Sequence, residues 1–134
     1  MSTIVLTTLN ARYSHASLGL RYLLANMGGL RAQTAILEFV IGVKTAELAE
    51  RLLAQHPRII GLGVYIWNVE ESTRLVALLK CIAPDVVVVL GGPEVSYEIE
   101  GQAITALADH VVTGWGEVSF PRLCQAILDG AHAL

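Results

Sequence analysis

The chain has 134 residues, enough for one domain with a sizeable core. Its hydrophobic fraction is 54% and its charged fraction only 16%, against about 25% in typical domains, which predicts a sheet buried on both faces, a surface resting against another body, or both. The net charge of −3 without a basic block argues against a nucleic-acid partner. No apolar stretch reaches the roughly 20 residues of a membrane span, and Met-Ser-Thr begins no signal peptide, so we expect a cytoplasmic protein.

Apolar runs and helical periodicities alternate along the chain. The patterns predict, in order, a strand at 3–9, a helix through Leu20 and Met27 closed by Gly28 and Gly29, a strand at 32–40, a helix at 45–55, a strand at 59–66, a helix at 69–82, a strand at 86–90, a helix at 101–108, a strand at 110–113 and a helix at 117–128. Asn68 and Glu71 have the spacing of a capping box. Gly61 and Gly63, inside the third strand, indicate close packing by a helix or a ligand.

Strict alternation of strands and helices with short connections predicts one α/β domain over 1–134. The sheet is expected to be parallel, doubly wound and three-layered, with right-handed crossovers. Five strands favour the order 2-1-3-4-5, the flavodoxin-like arrangement of the Rossmann-like class. The fourth strand stops at Gly91-Gly92-Pro93, where the absence of Cβ atoms would let a flat ligand lie against the backbone.

Four loops are expected at the carboxyl edge of this sheet, at 10–15, 65–68, 91–94 and 114–117. All are rich in glycine, aromatic or hydrogen-bonding residues, which predicts a ligand site there. His15 could ligate a metal or bond a phosphate, or simply bond backbone at a helix end. Trp67 could stack on a planar ring or serve as an interface aromatic. Glu94 and Glu117 each precede a helix, where a carboxylate offsets the dipole.

Several functions lack their motifs. Neither Gly61-Leu62-Gly63 nor Gly114-Trp115-Gly116 completes a dinucleotide fingerprint, and there is no phosphate-binding P-loop. A phospho-acceptor receiver needs carboxylates after the first strand, and residues 7–10 have none. No Ser stands in G-x-S-x-G, so we assign no catalytic residue. Cys81 and Cys124 lie in apolar helical patterns and are expected to be buried small hydrophobes.

At these loops the chain resembles the N-terminal cobalamin-binding domain of cobalamin-dependent radical SAM proteins. Four segments, in order, carry the resemblance: LNARYSHASLGLRYL at 9–23, GLGVYIWN at 61–68, VLGGPE at 89–94 and GWGE at 114–117. The resemblance implies a flavodoxin-like domain with the corrin ring on the carboxyl ends of the strands and its nucleotide tail along the sheet. The implied cofactor contacts are Asn10, Arg12, Tyr13, Ser14, His15, Tyr65, Trp67, Asn68, Gly91, Gly92, Pro93, Glu94, Gly114, Trp115, Gly116 and Glu117.

Two family motifs are missing. The D-x-H-x-x-G signature of histidine-on cobalamin domains is absent around His15, which leaves that residue as the one candidate cobalt ligand and no firm metal site. There is also no C-x-x-x-C-x-x-C for a [4Fe–4S] cluster. The resemblance therefore implies that the cluster, S-adenosylmethionine and the catalytic barrel belong to a further domain in cis.

The sequence thus predicts a cobalamin-binding module that presents the cofactor for methyl transfer or other radical chemistry, itself without catalytic activity. A homodimer of the isolated domain is one option. One alternative is a cofactor-free, flavodoxin-like regulatory or interaction domain, with Trp67 and Trp115 as anchors. Another is a small flavin or nucleotide binder.

Overall fold

A computed structural model describes residues 2–10, 18–65, 68–92, 103–112 and 118–130. Along the chain it contains β1 (Ile4–Asn10), α1 (Leu18–Ala25), a 3-10 helix (Gly28–Gln33), β2 (Thr34–Val40), α2 (Thr45–Leu53), β3 (Ile59–Gly63), α3 (Val69–Ile82), β4 (Val87–Gly91), α4 (Ala103–Leu107), β5 (His110–Val111) and α5 (Ser119–Leu128).

The five strands form one sheet in the order β2-β1-β3-β4-β5. Every strand pair is parallel, so the predicted doubly wound sheet and its strand order are confirmed. The register sets Thr8 beside Glu38 of β2 on one side and Gly63 of β3 on the other. Gly63 in turn lies beside Gly91 of β4, which aligns the carboxyl ends of the three central strands.

Two apolar cores lie on opposite faces of the sheet, because successive strand side chains point to opposite sides. Val5 and Leu9 of β1 pack in the core beneath α2, α3 and α4. Ile4 and Leu6 pack in the core beneath α1 and α5. All four side chains have no exposed surface, so the three-layer prediction is confirmed, and the high apolar content is explained by a sheet covered on both faces.

Three local predictions are wrong. Gly28 and Gly29 do not close α1, which ends at Ala25; Gly28, at φ +58°, opens the 3-10 helix, and β2 consequently starts at Thr34. The third strand ends at Gly63, not at 66. Asn68 precedes α3 but makes no side-chain cap, because its amide points towards the sheet, while Glu71 Oε2 accepts the Gly42 N–H at 3.0 Å.

The two cysteines differ in their surroundings. Cys124 lies in the core beneath α5 and is buried, as predicted, whereas Cys81 in the last turn of α3 is exposed, contrary to the prediction. Burial raises the pKa of the Cys124 thiol from 9.0 to about 12, because the thiolate cannot be solvated there.

Among the described residues, no group of three or more His, Cys, Asp and Glu side chains could hold a metal ion. No helix in the same part of the chain is long and apolar enough to cross a membrane.

Lys80 fastens the amino-terminal edge of the sheet. Its Nζ donates to the carbonyl oxygens of Pro84 and Val86, both at 2.9 Å, and pairs with Asp109 Oδ2 at 2.8 Å. The same Oδ2 accepts the Val88 N–H at 2.8 Å. These contacts tie the end of α3 to the start of β4 and to the segment before β5, at the edge opposite the predicted site.

Candidate functional site

The crevice between β1 and β3 is the topological switch point of the sheet. The connection from β1 to β2 runs through α1 on one face, while the connections that follow β2 and β3 run through α2 and α3 on the other. The chain therefore leaves the carboxyl ends of β1 and β3 in opposite directions. In open α/β sheets, this divergence creates the crevice in which ligands bind.

Small residues line the carboxyl edge on the face that carries α1 and α5. Thr8, Gly63 and Gly91 lie side by side on β1, β3 and β4, and we call them the small-residue row. A Cβ at Gly63 would come within 3.3 Å of Thr8 Oγ1. Among the described residues, a Cβ at Gly91 would meet only the Val112 carbonyl oxygen, at 3.9 Å. The row therefore forms a shallow floor that ordinary side chains would fill.

One residue below this row, the sheet is covered by α5. A Cβ at Gly61 would lie 2.9 Å from Cζ of Phe120 and 3.1 Å from Cδ2 of Leu6. The Phe120 ring is itself 3% exposed. The sequence prediction of a closely packed helix at Gly61 is thus confirmed, and the aromatic ring marks the lower limit of the floor.

Gly92 brings the chain after β4 against the end of β3. Its φ is +111°, and a Cβ there would lie 2.5 Å from the Val64 carbonyl oxygen and 3.0 Å from its nitrogen. The Val64 N–H donates to the Gly91 carbonyl at 2.8 Å. Only glycine permits both this dihedral angle and this approach. The Gly91-Gly92 pair therefore holds the chain after β4 close to the end of β3.

Asn68 joins three backbone segments at the switch point. Its Nδ2 donates to the Leu9 carbonyl at 2.9 Å and lies 3.4 Å from the Gly63 carbonyl. Its Oδ1 accepts the Tyr65 N–H at 2.8 Å and the Ser72 hydroxyl at 3.2 Å. The ends of β1 and β3 and the Tyr65 backbone are therefore connected through one side chain, which the Ser72 hydroxyl bonds from the first turn of α3.

Thr8 completes the same network from the floor. Its Oγ1 donates to the Gly63 carbonyl at 2.7 Å and accepts from Asn68 Nδ2 at 3.3 Å. The side chain of Tyr65 also reaches this edge, since its Cε2 lies 3.5 Å from the position of a Cβ at Gly63. The row is consequently bounded by a tyrosine ring and backed by a buried hydrogen-bond network.

An ion pair flanks the row on the β2 side. Glu38 lies beside Thr8 in the register, and its Oε1 accepts from Arg21 Nη1 of α1 at 2.8 Å. The Arg21 side chain is 47% exposed, so its guanidinium lies partly in solvent at the rim next to the floor. Asn10, the last residue of β1, is partly exposed on this side, and its carbonyl accepts the Ile41 N–H at 2.9 Å.

The structure brings several predicted contacts to the switch point and its adjoining floor: Asn10, Tyr65, Asn68, Gly91 and Gly92. Asn68 is 1% exposed, and its amide is bonded within the protein. The remaining predicted contacts lie outside the described residues: Arg12, Tyr13, Ser14, His15, Trp67, Pro93, Glu94, Gly114, Trp115, Gly116 and Glu117. The assignment of both groups of residues as cofactor contacts stays a prediction.

Thr8 and Ser72 were not among the predicted site residues. Thr8 has a recognisable signal: it lies at the polar carboxyl end of an otherwise apolar strand, on the face of Ile4 and Leu6. Ser72 falls four residues after Asn68, which is the spacing of neighbours on one helix face. That pattern is common in amphipathic helices and did not distinguish Ser72 from an ordinary polar position.

Comparison with protein families now identifies the chain. Residues 4–124 match the family model described as "B12 binding domain", which covers every described strand and most of α5. The chain therefore belongs to the B12-binding domain family, and its cofactor is cobalamin. Comparison with the curated proteins returns no significant match.

Solved structures share the fold at low sequence identity. A novel cobalamin-binding protein from Desulfitobacterium hafniense DCB-2 is 18% identical, with a TM-score of 0.63 over 92% of this chain and 57% of that one. The cobalamin-dependent S-adenosylmethionine radical enzyme OxsB, solved with aqua-cobalamin bound, is 17% identical, with a TM-score of 0.73 over 100% of this chain and 20% of that one. This chain thus spans between a fifth and three fifths of these proteins.

A second kind of protein shares the same fold. A CheY-like protein (tadZ) from Pseudomonas aeruginosa PAO1 is 17% identical, with a TM-score of 0.60 over 97% of this chain and 94% of that one. The fold alone therefore does not separate cobalamin domains from this class. The family match and the residues at the carboxyl edge do so, since β1 ends Thr7-Thr8-Leu9-Asn10 and offers no carboxylate.

Proposed function

We propose that this domain holds cobalamin at the carboxyl edge of its sheet and acts within a longer radical SAM enzyme. The observation that carries the first part is the small-residue row. Gly63 and Gly91, both partly exposed, present a floor without side chains on two neighbouring strands, and the fully buried Thr8 supports it from the third. A broad planar cofactor with an appended nucleotide requires such a floor, because apolar and aromatic surface must lie flat against it.

The residues present fit this group. The row is bounded below by Phe120, at one side by the Arg21–Glu38 pair and above by the Gly92–Val64 contact. In this proposal Gly63 and Gly91 provide the floor, Tyr65 offers an aromatic wall and Arg21 offers hydrogen bonds to polar groups of the tail. The predicted contacts at 12–15, 67, 93–94 and 114–117 complete the proposed site, with His15 as the candidate cobalt ligand.

Cobalamin supplies a cobalt centre that can carry a methyl group or take part in radical steps. The residues of this chain bind and orient it; none of them is assigned a chemical step. The proposed parent contributes the barrel, the [4Fe–4S] cluster and S-adenosylmethionine in cis, in the cytoplasm. The support for this context is the resemblance of the loop segments and the likeness to OxsB, over the full length of this chain.

The binding proposal is tested by titrating the purified domain with hydroxocobalamin and methylcobalamin. Absorbance shifts and co-elution on gel filtration are the expected results. Gly91→Val should abolish binding while keeping the fold, because a Cβ at this strand position would meet, among the described residues, only the Val112 carbonyl oxygen at 3.9 Å, and a β-branched residue suits a strand. Gly29→Val is the matched control, since no described residue lies within 4 Å of a Cβ there and the 3-10 helix that contains it precedes β2 at the opposite edge of the sheet.

Two results would contradict the proposal. A folded domain that binds neither cobalamin would exclude the site in this chain, and equal binding by wild type and Gly91→Val would exclude the floor. The radical SAM context is tested separately by sequencing the gene beyond codon 134. A C-x-x-x-C-x-x-C motif in the same reading frame is expected, and a complete gene without one would exclude a barrel in cis.

A further inference from the structure

Asn68 has little surface left with which to touch a ligand. Its exposed fraction is 1%, and both ends of its amide are bonded within the protein. Its two Nδ2 hydrogens face three oxygen atoms, the carbonyls of Leu9 and Gly63 and the Thr8 hydroxyl. A side chain that was predicted as a cofactor contact is therefore engaged in holding other parts of the site.

The segments that Asn68 joins are those that must keep a fixed spacing. β1 and β3 are paired through Thr8 and Gly63, and beyond that pair the chain leaves the two strands in opposite directions. Just past this point, Asn68 Nδ2 bonds the Leu9 carbonyl of β1 and lies beside the Gly63 carbonyl of β3. The β1–β3 register ends at the Thr8–Gly63 pair, so the Asn68 side chain extends the connection between the two strands beyond their last paired residues.

The other end of the amide orients the turn that carries Tyr65. Oδ1 accepts the Tyr65 N–H, and the Asn68 N–H donates to the Tyr65 carbonyl at 3.0 Å. The turn is thus closed from both directions. The Ser72 hydroxyl, which is 0% exposed, holds Oδ1 from α3. The backbone of Tyr65, whose ring borders the small-residue row, is therefore held by the same amide that bonds Thr8 of the row.

We propose that Asn68 is a positioning residue for cobalamin: it sets the spacing of the β1 and β3 ends and the orientation of Tyr65, and does not contact the cofactor. This inference rests on the proposed function for its link to the cofactor. Removing a buried group that holds a metal-ligating residue in place commonly lowers metal affinity by about 10-fold or more. The arrangement at Asn68 is analogous.

Two variants separate positioning from direct contact. Asn68→Asp keeps the acceptor for the Tyr65 N–H but replaces the donor by an oxygen that faces three oxygens, and should weaken hydroxocobalamin binding about 10-fold. Ser72→Ala removes one hydrogen bond to Oδ1 from a buried helix position, and should weaken binding about threefold. Direct contact by Asn68 predicts that Ser72→Ala binds like the wild type, which would overturn the proposal.

Lys80→Met is the matched control for general loss of stability. It removes three contacts at the opposite edge of the sheet, and its dissociation constant for hydroxocobalamin should stay within about twofold of the wild-type value. An equal loss of affinity in Lys80→Met and Asn68→Asp would overturn the proposal, because it would make affinity follow stability alone. Ser72→Ala keeps the test available if Asn68→Asp fails to fold.

Amide hydrogen exchange without cofactor makes the two proposals distinguishable. Asn68→Asp, or Ser72→Ala in its place, should speed exchange in the peptide that contains Tyr65, while Lys80→Met should speed it at Val88. Unchanged exchange at Tyr65 in Asn68→Asp would overturn the positioning role. A wild-type domain that binds no hydroxocobalamin would overturn the proposed function, and the exchange result would still decide whether Asn68 holds this turn.

Discussion

Gly92 and Val64 approach so closely that no side chain fits between them: a Cβ on Gly92 would lie 2.5 Å from the Val64 carbonyl oxygen. This contact presses the chain after β4 onto the end of β3. The Gly91–Val64 hydrogen bond beside it, at 2.8 Å, is the last link between these two segments that the structure describes. The shape of the carboxyl edge therefore depends on a glycine for two separate reasons, its dihedral angle and the space it leaves.

Gly92→Ala should lower the free energy of unfolding by about 3 kcal/mol, because it combines a left-handed φ with a backbone clash. The measurement is urea unfolding followed by circular dichroism. Gly28→Ala is the matched control: Gly28 has φ +58° but no described residue within 4 Å of a Cβ, so only the left-handed dihedral angle should cost stability, about 1 kcal/mol. Equal costs at the two positions would show that the Val64 contact contributes nothing.

Gly61→Ala should cost about 1–3 kcal/mol through overpacking, because the new methyl group would lie 2.9 Å from Phe120 Cζ. Phe120→Leu shortens the facing side chain and should reduce that cost when the two changes are combined. A double-mutant cycle in urea measures the coupling. Additive costs would mean that α5 shifts freely away from the sheet, and the Phe120 ring would then not set the lower limit of the floor.

The fold was predictable because the local signals all agreed. The valine run before Gly91 and the strict alternation of elements required a parallel sheet covered on both faces, and the observed order is the predicted one. The wrong predictions concern positions where one sequence pattern is compatible with two different local structures. A glycine such as Gly28 can follow the end of one helix or begin the next, and in the structure it begins the 3-10 helix with φ +58°. Cys81 follows the apolar pattern of α3 but falls at the helix end, where the core no longer covers it.

The candidate site was predictable as a place and less so residue by residue. Strand order alone locates the carboxyl edge, and Gly91 and Gly92 were recognisable from their sequence. The function of Asn68 was not, because the sequence indicates a helix cap and only the fold shows that its amide faces Leu9 and Gly63. The role of Ser72 can be recognised only from the structure, where its hydroxyl donates a hydrogen bond to Asn68 Oδ1.

Lys80→Met should lower the free energy of unfolding by about 1–2 kcal/mol, because two carbonyls and one carboxylate lose a shared donor. Asp109→Asn keeps an acceptor for the Val88 N–H and loses mainly the ion pair. It should cost less, about 0.5 kcal/mol, since the pair is partly exposed and screened. Unfolding in low and high salt checks this. Both differences should shrink by a similar small amount in high salt, because both variants lose the ion pair, and the larger remainder for Lys80→Met should persist. A Lys80→Met difference that disappears in high salt would contradict the assignment of the Lys80 contribution to its carbonyl bonds.

The two thiols should react very differently in the folded domain. Cys81 is exposed and Cys124 is buried with a pKa of about 12. Iodoacetamide at pH 8 should therefore label only Cys81 in the folded domain, and both cysteines in urea.

The raised pKa of Cys124 also determines how stability changes with pH. The neutral thiol is favoured in the folded state, so the stabilisation is complete below pH 9 and is lost as the pH rises towards 12. Labelling Cys81→Ala isolates Cys124: its modification should remain slow at pH 9 and accelerate at higher pH in step with unfolding. Rapid labelling of Cys124 in the folded domain at pH 8 would show that α5 separates from the sheet. Phe120 of α5 would then not form a stable lower limit of the floor.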